Sequence, residues 1–405
     1  MFRHKKMQRS TVDLSKMAQR VKISDTTLRD GEQTYGIIFS NREKITIAQY
    51  LSDMGMDMIE LGFPSQQGYE RQYVKELVRR KRAKQIKSML MGWHRPVISE
   101  IRDSVELGVD SVCISMPTSD IMIKKKLHKD RDWVIETEIK AVKYAKECGL
   151  YVSANAEDAS RSDHEFVKEY VRAIKKAGAD RFRFCDTLGF IDPFETYRRI
   201  KDYLALGIDV EMHTHDDLGM AVANTIAGVR AAEEFPKRTI WLATTVNGLG
   251  ERAGNAALEE VVMALKVALN IELNYKTTMF REVCEYVAKA SGRYIPQWKS
   301  VVGRNIFRHT SGIHADGVVK DPENYEIILP EEVGLKERKI GISKHSGTSA
   351  VVHKYETLGI NISKDEAPSL LEQLRNESVE LKRMPNDKEL TDIYREFRES
   401  FIVNR

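Results

Sequence analysis

Two histidines separated by one residue, His213-Thr214-His215, precede a pair of aspartates, Asp216-Asp217. In a β-strand, residues two apart point to the same side, so His213 and His215 face one way and Thr214 the other. Two imidazoles on one face form a metal pair. With an aspartate such as Asp30 and an amide oxygen they give a mixed nitrogen and oxygen set suited to Zn2+, Mn2+ or a similar divalent ion, with positions left open for substrate. Asp30 belongs to a second polar run, Asp25-Thr26-Thr27-Leu28-Arg29-Asp30-Gly31-Glu32-Gln33. Two more follow, Asn155-Ala156-Glu157-Asp158 with Arg161, and Asp186-Thr187. A lone HxH pair is as readily two hydrogen-bonded or surface histidines, so its reading depends on where the chain places it.

Placement follows from periodicity. Short β-rich runs, each followed by a stretch of helical period, recur near Lys22 to Leu28, Met58 to Gly62, Ser88 to Trp93, Ser111 to Met116, Tyr151 to Glu157, Arg181 to Thr187, Val210 to His215 and Trp241 to Asn247. Eight such units over roughly 250 residues predict a closed (β/α)8 TIM barrel, since an open doubly wound sheet rarely holds so many equal units. Helices are expected at Arg42 to Met54, Trp133 to Cys148, His164 to Ala177 and Leu218 to Ala232, with Gly55, Gly149 and Gly178 as left-handed caps. Asp192-Pro193 opens another, with proline in the first turn. Barrel enzymes work at the C-terminal ends of their strands, where all of these polar clusters fall. The expected organisation is an N-terminal arm over residues 1–20, a barrel over 21–272, and a smaller mixed and helical region over 273–405 with helices at Asp365 to Asn376 and Asn386 to Glu399.

Composition excludes several classes. A 405-residue chain that is 42% hydrophobic and 31% charged can bury a large core. A net charge of +4 from 64 basic and 60 acidic residues gives no field for nucleic acid. The cysteines Cys113, Cys148, Cys185 and Cys284 form no CxxC pair, as expected in a reducing, cytoplasmic setting. The first twenty residues are polar and basic, unlike a secretory signal, and no apolar run approaches the ~20 residues that cross a bilayer.

Together, the Asp25 to Gln33 run, His213-Thr214-His215-Asp216-Asp217-Leu218-Gly219-Met220-Ala221-Val222 and Asn247-Gly248-Leu249-Gly250-Glu251-Arg252-Ala253-Gly254-Asn255 resemble the isopropylmalate and homocitrate synthase family. The resemblance spans about residues 21–355 and includes Ser311-Gly312-Ile313-His314-Ala315-Asp316-Gly317. It implies a metal-dependent acyltransferase that condenses acetyl-CoA with a 2-oxo acid, hydrolyses the thioester and works as a homodimer, with the appended region acting over a neighbour's barrel. Carried over by position, Asp30, His213, His215 and Asn255 would hold Zn2+, Mn2+ or Mg2+. Arg29 would donate to the ketone oxygen as charge develops. His314, oriented by Glu157, would be the base that removes the methyl proton, with Tyr325 nearby. Gln33, Arg95, Arg161 and Thr187 would hold the keto acid. Gly248, Gly250 and Gly254 do not fit GxGxxG, but their place after the eighth strand, where barrels often bind phosphate, points to contact with CoA.

Glu233 to Arg238 departs from the family pattern as an insertion of about six residues that lengthens a loop. The stretch after residue 355 is too short for the regulatory domain of longer isopropylmalate synthases, so leucine feedback through such a domain is not expected. The short tail is more like homocitrate synthases of the nitrogen-fixation type. Side-group selection should fall to Gly62 to Gln67, Gly92 to Arg95 and Met116 to Asp120. His94 and Arg95 tilt the choice slightly towards a dicarboxylate, 2-oxoglutarate first and oxaloacetate second, while Trp93 could close an apolar pocket for 2-oxoisovalerate or pyruvate. A metal-dependent hydroxy-acyl-CoA lyase is the alternative reaction class on such a barrel.

Overall fold

A computed structural model describes residues 14–403. Eight parallel strands close into a barrel in sequence order: β1 Val21–Asp25, β2 Met58–Gly62, β3 Met89–His94, β4 Ser111–Pro117, β5 Tyr151–Glu157, β6 Arg181–Asp186, β7 Asp209–Thr214 and β8 Ile240–Thr244. The expected barrel is present, and the strands at 58–62 and 151–157 keep their expected limits. β1 and β8 end earlier than expected because the chain turns at once: the Thr26 carbonyl accepts from the amides of Arg29, Asp30 and Gly31, and Gly248 N bonds back to Thr245 O. Residues 26–33 and 245–255 are therefore loops at the C-terminal mouth of the barrel rather than strand ends.

The intervening helices start and stop where local chemistry dictates. Asn41–Met54 opens on a capping box in which Ser40 Oγ accepts from Glu43 N while Glu43 Oε2 accepts from Ser40 N at 2.7 Å. Pro193–Ala205 starts behind Asp192, whose carboxylate accepts from Phe194 N and Glu195 N. Gly55 and Gly178 take φ of 96° and 104°, the left-handed cap that a β-carbon disfavours. The helix expected from Leu218 begins only at Ala221, because Asp216 to Gly219 make a turn first. Glu233 to Arg238 lies between that helix and β8, at the end of the barrel opposite the loops at 26–33 and 245–255. There Arg20 Nη1 donates to the carbonyls of Phe235 at 2.8 Å and Arg238 at 3.0 Å.

TIM-barrel interiors are usually filled by branched apolar side chains. This interior differs. Met58, Met91, Cys113 and Trp241 form an apolar layer, and Arg181 lies 4.3 Å over the Trp241 ring. Further along the axis the inward positions carry Glu60, Arg183 and Glu211, all wholly buried.

The chain divides into two compact units at Ile295/Pro296, later than the expected boundary at 272, because Phe280–Ala290 packs on Asn41–Met54 and on the loop after β8. The second unit holds two short parallel strands, Arg308–His309 and Lys339–Ile340, and helices Gly312–Lys320, Thr348–Thr357, Ala367–Glu380 and Asp387–Val403. Its core is built on Ile342, Val351, Tyr355, Leu370, Leu374 and Leu390. Of the expected N-terminal arm, residues 1–13 lie outside the described residues and Leu14–Ala18 is a short helix. Among the described residues no helix is long and apolar enough to cross a membrane, and all four cysteines are free.

Candidate active site

Asp30 follows β1 in a backbone turn, His213 sits near the end of β7, and His215 lies one residue past that strand. The strand's alternation persists: Thr214 faces outward, its hydroxyl bonded to Thr225 Oγ1 at 2.9 Å, while both imidazoles turn to the barrel mouth. His213 Nε2 is 3.4 Å and His215 Nε2 3.7 Å from Asp30 Oδ2. Two ligands of one ion, each about 2.1 Å from it, stand roughly 3 to 3.5 Å apart, so this spacing fits a shared divalent cation. Among the described residues these three form the one cluster of histidine, cysteine and carboxylate groups with metal-ligand geometry.

Asn255 joins them through an isolated bridge to His215, with Nδ2 donating to Asp30 Oδ2 at 2.7 Å and its buried Oδ1 unpaired. That orphaned oxygen is a hard donor suited to the ion. Burial holds both imidazoles below the usual histidine range and so in the neutral, ligating form, although Asp30 pulls the other way. Burial alone would raise the Asp30 carboxyl. The Arg29 guanidinium leads the opposing contributions, with the Asn255 amide hydrogen bond adding to it, and the carboxyl is held below the usual carboxylate range.

The glycines of the β8 loop have a backbone reason to be glycine. Gly248 and Gly254 take φ of 74° and 95°, and a β-carbon on Gly254 would stand 2.0 Å from Gly248 O. One on Gly250 would meet Asn255 Nδ2 at 2.4 Å. Their conformation delivers Asn255 to Asp30.

Arg29, also buried, reaches across the same mouth. Its Nε donates to Glu60 Oε1 at 2.7 Å, its Nη1 to Asp30 Oδ1 at 3.0 Å and to Gln33 Oε1 at 3.3 Å. Arg29 and Gln33 line a cavity of about 400 Å3 with Phe39, Phe63, Gln66 and Tyr69. Trp93 stands beside it, edge-on to Phe63 at 5.4 Å and 5.9 Å from the Arg29 guanidinium.

Other predicted residues have different partners. Glu157, half-buried at the end of β5, is paired with Lys126 Nζ at 2.8 and 3.1 Å. Lys126 belongs to a π-turn, Ile123–Leu127, a distortion often found at functional sites. Arg161 grips the Asp158 carboxylate through Nε and Nη2, and Thr187 Oγ1 accepts from the Asp158 backbone N at 2.9 Å, so both are tied to Asp158 by different groups. Arg95 is exposed and bound to Glu100 on the following helix, Ile98–Leu107. His94 points away from the mouth: it is buried, its Nε2 2.6 Å from Ser104 Oγ, and burial lowers its pKa to about 4. It offers no charge to a substrate carboxylate, which removes half of the reason for expecting a dicarboxylate. In the second unit, the His314 and Tyr325 rings lie 4.5 Å apart, and Gly317 makes room for them, since a β-carbon there would meet Tyr325 Cε2 at 2.4 Å.

Sequence reasoning missed Glu60, Arg183 and Glu211. Their signal was available, because charged residues in Met-Ile-Glu-Leu-Gly, Arg-Phe-Arg-Phe-Cys-Asp and Asp-Val-Glu-Met-His-Thr occupy inward positions of otherwise apolar strands.

Residues 20–287 match the family described as HMGL-like, and residues 301–382 the homocitrate synthase post-HMGL domain-like family. A protein named 2-isopropylmalate synthase 2 from Caldanaerobacter subterraneus subsp. tengcongensis is 51% identical over 92% of this chain and 95% of its own. The chain belongs to the isopropylmalate and homocitrate synthase family. Within this family, homocitrate synthase 1 of a Nostoc species is 41% identical over 94% of this chain and 98% of its own. The (R)-citramalate synthase CimA of Methanocaldococcus jannaschii is 40% identical over 93% of this chain and 74% of its own. Among solved structures, an HMG-CoA lyase from Acenitobacter baumannii, in complex with coenzyme A and 3-methylmalate, aligns with a TM-score of 0.60 at 18% identity over 71% of this chain and 96% of its own. That likeness concerns the barrel fold.

Proposed function

We propose that the protein is a divalent-metal-dependent acyltransferase that condenses acetyl-CoA with a 2-oxo acid and hydrolyses the resulting thioester, turning the acyl group into an alkyl one. The observation that carries this reading is the convergence of Asp30, His213 and His215 on one point beside Arg29, with the Asn255 amide bonded to Asp30, in a chain whose relatives are synthases of 2-hydroxy acids. A bound divalent ion supplies Lewis acidity to the ketone. The chain's own residues do the rest. Arg29, kept charged by Glu60 and Asp30 against the cost of burial, donates to the ketone oxygen as negative charge builds there. Gln33 fixes the Arg29 guanidinium from the solvent side. Arg161, Thr187 and Arg95 bind carboxylate, Gly248, Gly250 and Gly254 carry the loop that CoA approaches, and His314, with Glu157 and Tyr325, handles the proton of the acetyl methyl group.

For the side group we favour a branched apolar 2-oxo acid, 2-oxoisovalerate, over 2-oxoglutarate. Trp93 and Phe63 make an apolar wall next to Arg29, and His94 is turned into the helix layer. The relative at 51% identity carries the isopropylmalate name. A dicarboxylate is the second reading, favoured by the match of residues 301–382 to the homocitrate synthase module. A panel of 2-oxo acids, each supplied with acetyl-CoA and metal while free thiol is followed, tests the choice. Fastest turnover with 2-oxoisovalerate is expected. Preference for 2-oxoglutarate or oxaloacetate would overturn the branched assignment, and release of acetyl-CoA from a hydroxy-acyl-CoA without synthesis would make the protein a lyase.

A further inference from the structure

The ionic contacts inside the barrel form one continuous column. Arg181 Nε is 2.7 Å from Glu211 Oε2, Glu211 Oε1 is 2.9 Å from Arg183 Nη2, and Arg183 Nη2 is 3.0 Å from Glu60 Oε2. Glu60 Oε1 then takes Arg29 Nε at 2.7 Å, and Arg29 Nη1 reaches Asp30. All four side chains beneath Arg29 are fully buried. Burying such charges is costly, and apolar residues of similar volume often serve stability equally well, so the column is not explained by stability.

Its geometry supplies another explanation. A carboxylate facing a single guanidinium tends to accept from it twice, fork to fork. Glu60 is drawn out of that arrangement because Arg183 Nη2 stands 3.0 Å from Oε2 as an ion pair, outside hydrogen-bond alignment, while Oε1 takes Arg29. The two Nη atoms of Arg29 are thus left to Asp30, Gln33 and the mouth. Glu211 is divided in the same way between Arg183 and Arg181. The charges agree: Arg181 and Arg183 balance Glu60 and Glu211, so the column leaves the positive charge of Arg29 to the mouth.

We propose that Arg183, held from below by Glu211 and Arg181, is a positioning residue for the reaction: by dividing Glu60 it keeps the Arg29 guanidinium raised towards the substrate ketone. This rests on the role given to Arg29 under the proposed function. Without Arg183, Glu60 rotates to take Arg29 through both oxygens and draws it away from the mouth. A displacement of about 1 Å at a reacting centre costs roughly a hundredfold in rate.

The test uses metal-loaded full-length protein, with kcat and KM for both substrates, bound metal and thermal stability measured for Arg29→Ala, Arg183→Met, Arg183→Lys and Glu211→Gln. The expected result is that R183M loses roughly a hundredfold in kcat at unchanged metal content and little-changed KM. R183K should restore most of it, and R29A/R183M should be no slower than R29A. If R183M fails to fold, the nearly isosteric E211Q carries the test, with a loss of roughly tenfold in kcat that vanishes in the R29A background. A folded R183M or E211Q at wild-type kcat while R29A is inactive overturns the positioning role alone, as does a loss that persists in full on R29A. Wild-type turnover by R29A itself overturns the role of Arg29 and the positioning role with it.

Discussion

On the proposed function Asp30 has two tasks, to face a cation and to accept from Arg29, and its oxygens are divided to match: Oδ1 takes the guanidinium while Oδ2 faces the imidazoles and Asn255. Replacing it with asparagine removes the charge and keeps the shape. D30N should therefore lose metal affinity and activity by roughly a hundredfold or more without unfolding, measurable by metal titration and circular dichroism. His94 makes a prediction of another kind. Burial lowers its pKa to about 4, against about 6.5 for an exposed histidine. Between those values the unfolded chain takes up a proton that the folded chain refuses, so this contribution is intact above about pH 6.5 and lost as pH falls towards 4. His94→Asn should flatten the fall of thermal stability across that window by something on the order of 3 kcal/mol at its acid end. The grouping of Asp30, His213 and His215 was legible from HxH spacing and family resemblance. The direction of His94 was also legible: Trp93 precedes it in a strand, so when one faces the mouth the other faces the helices.

At the scale of the element, the β8 loop does as much as any side chain in it. A methyl group on Gly254 collides with the Gly248 carbonyl in a backbone region that L-residues avoid. Gly254→Ala should displace Asn255 and weaken metal binding about tenfold or more, while the barrel, whose strands make none of these contacts, melts close to wild type. Titrating both proteins with Zn2+ or Mn2+ and then heating them separates the two effects. Strand positions were readable because each βα unit repeats one alternation of period. The ends of β1 and β8 were not, since Thr26 and Thr245 continue an extended pattern that only the backbone turns of their loops cut short. The buried column was overlooked for a related reason: a charged residue in a strand reads as surface until closure of the barrel makes that face interior.

Over the whole molecule, closure of the barrel sets β8 between β1 and β7 and so brings Asp30, which follows β1, beside the β7 histidines far along the chain. The barrel and its family were legible in the sequence, because repeat number and three polar loops define them. The boundary of the second unit was not, since Phe280–Ala290 has the composition of an appended helix but packs with the barrel. The central claim is that this mouth performs metal-dependent condensation. Thiol release by protein stripped of metal, then resupplied with Zn2+, Mn2+ or Mg2+, tests it most directly when wild type and His213→Ala are compared with acetyl-CoA and 2-oxoisovalerate present together and singly. The account predicts CoA release by wild type only when metal and both substrates are present, and a loss of roughly a hundredfold or more in H213A. Wild-type protein that binds the ion yet releases no CoA with any 2-oxo acid, or H213A that turns over like wild type, would contradict it.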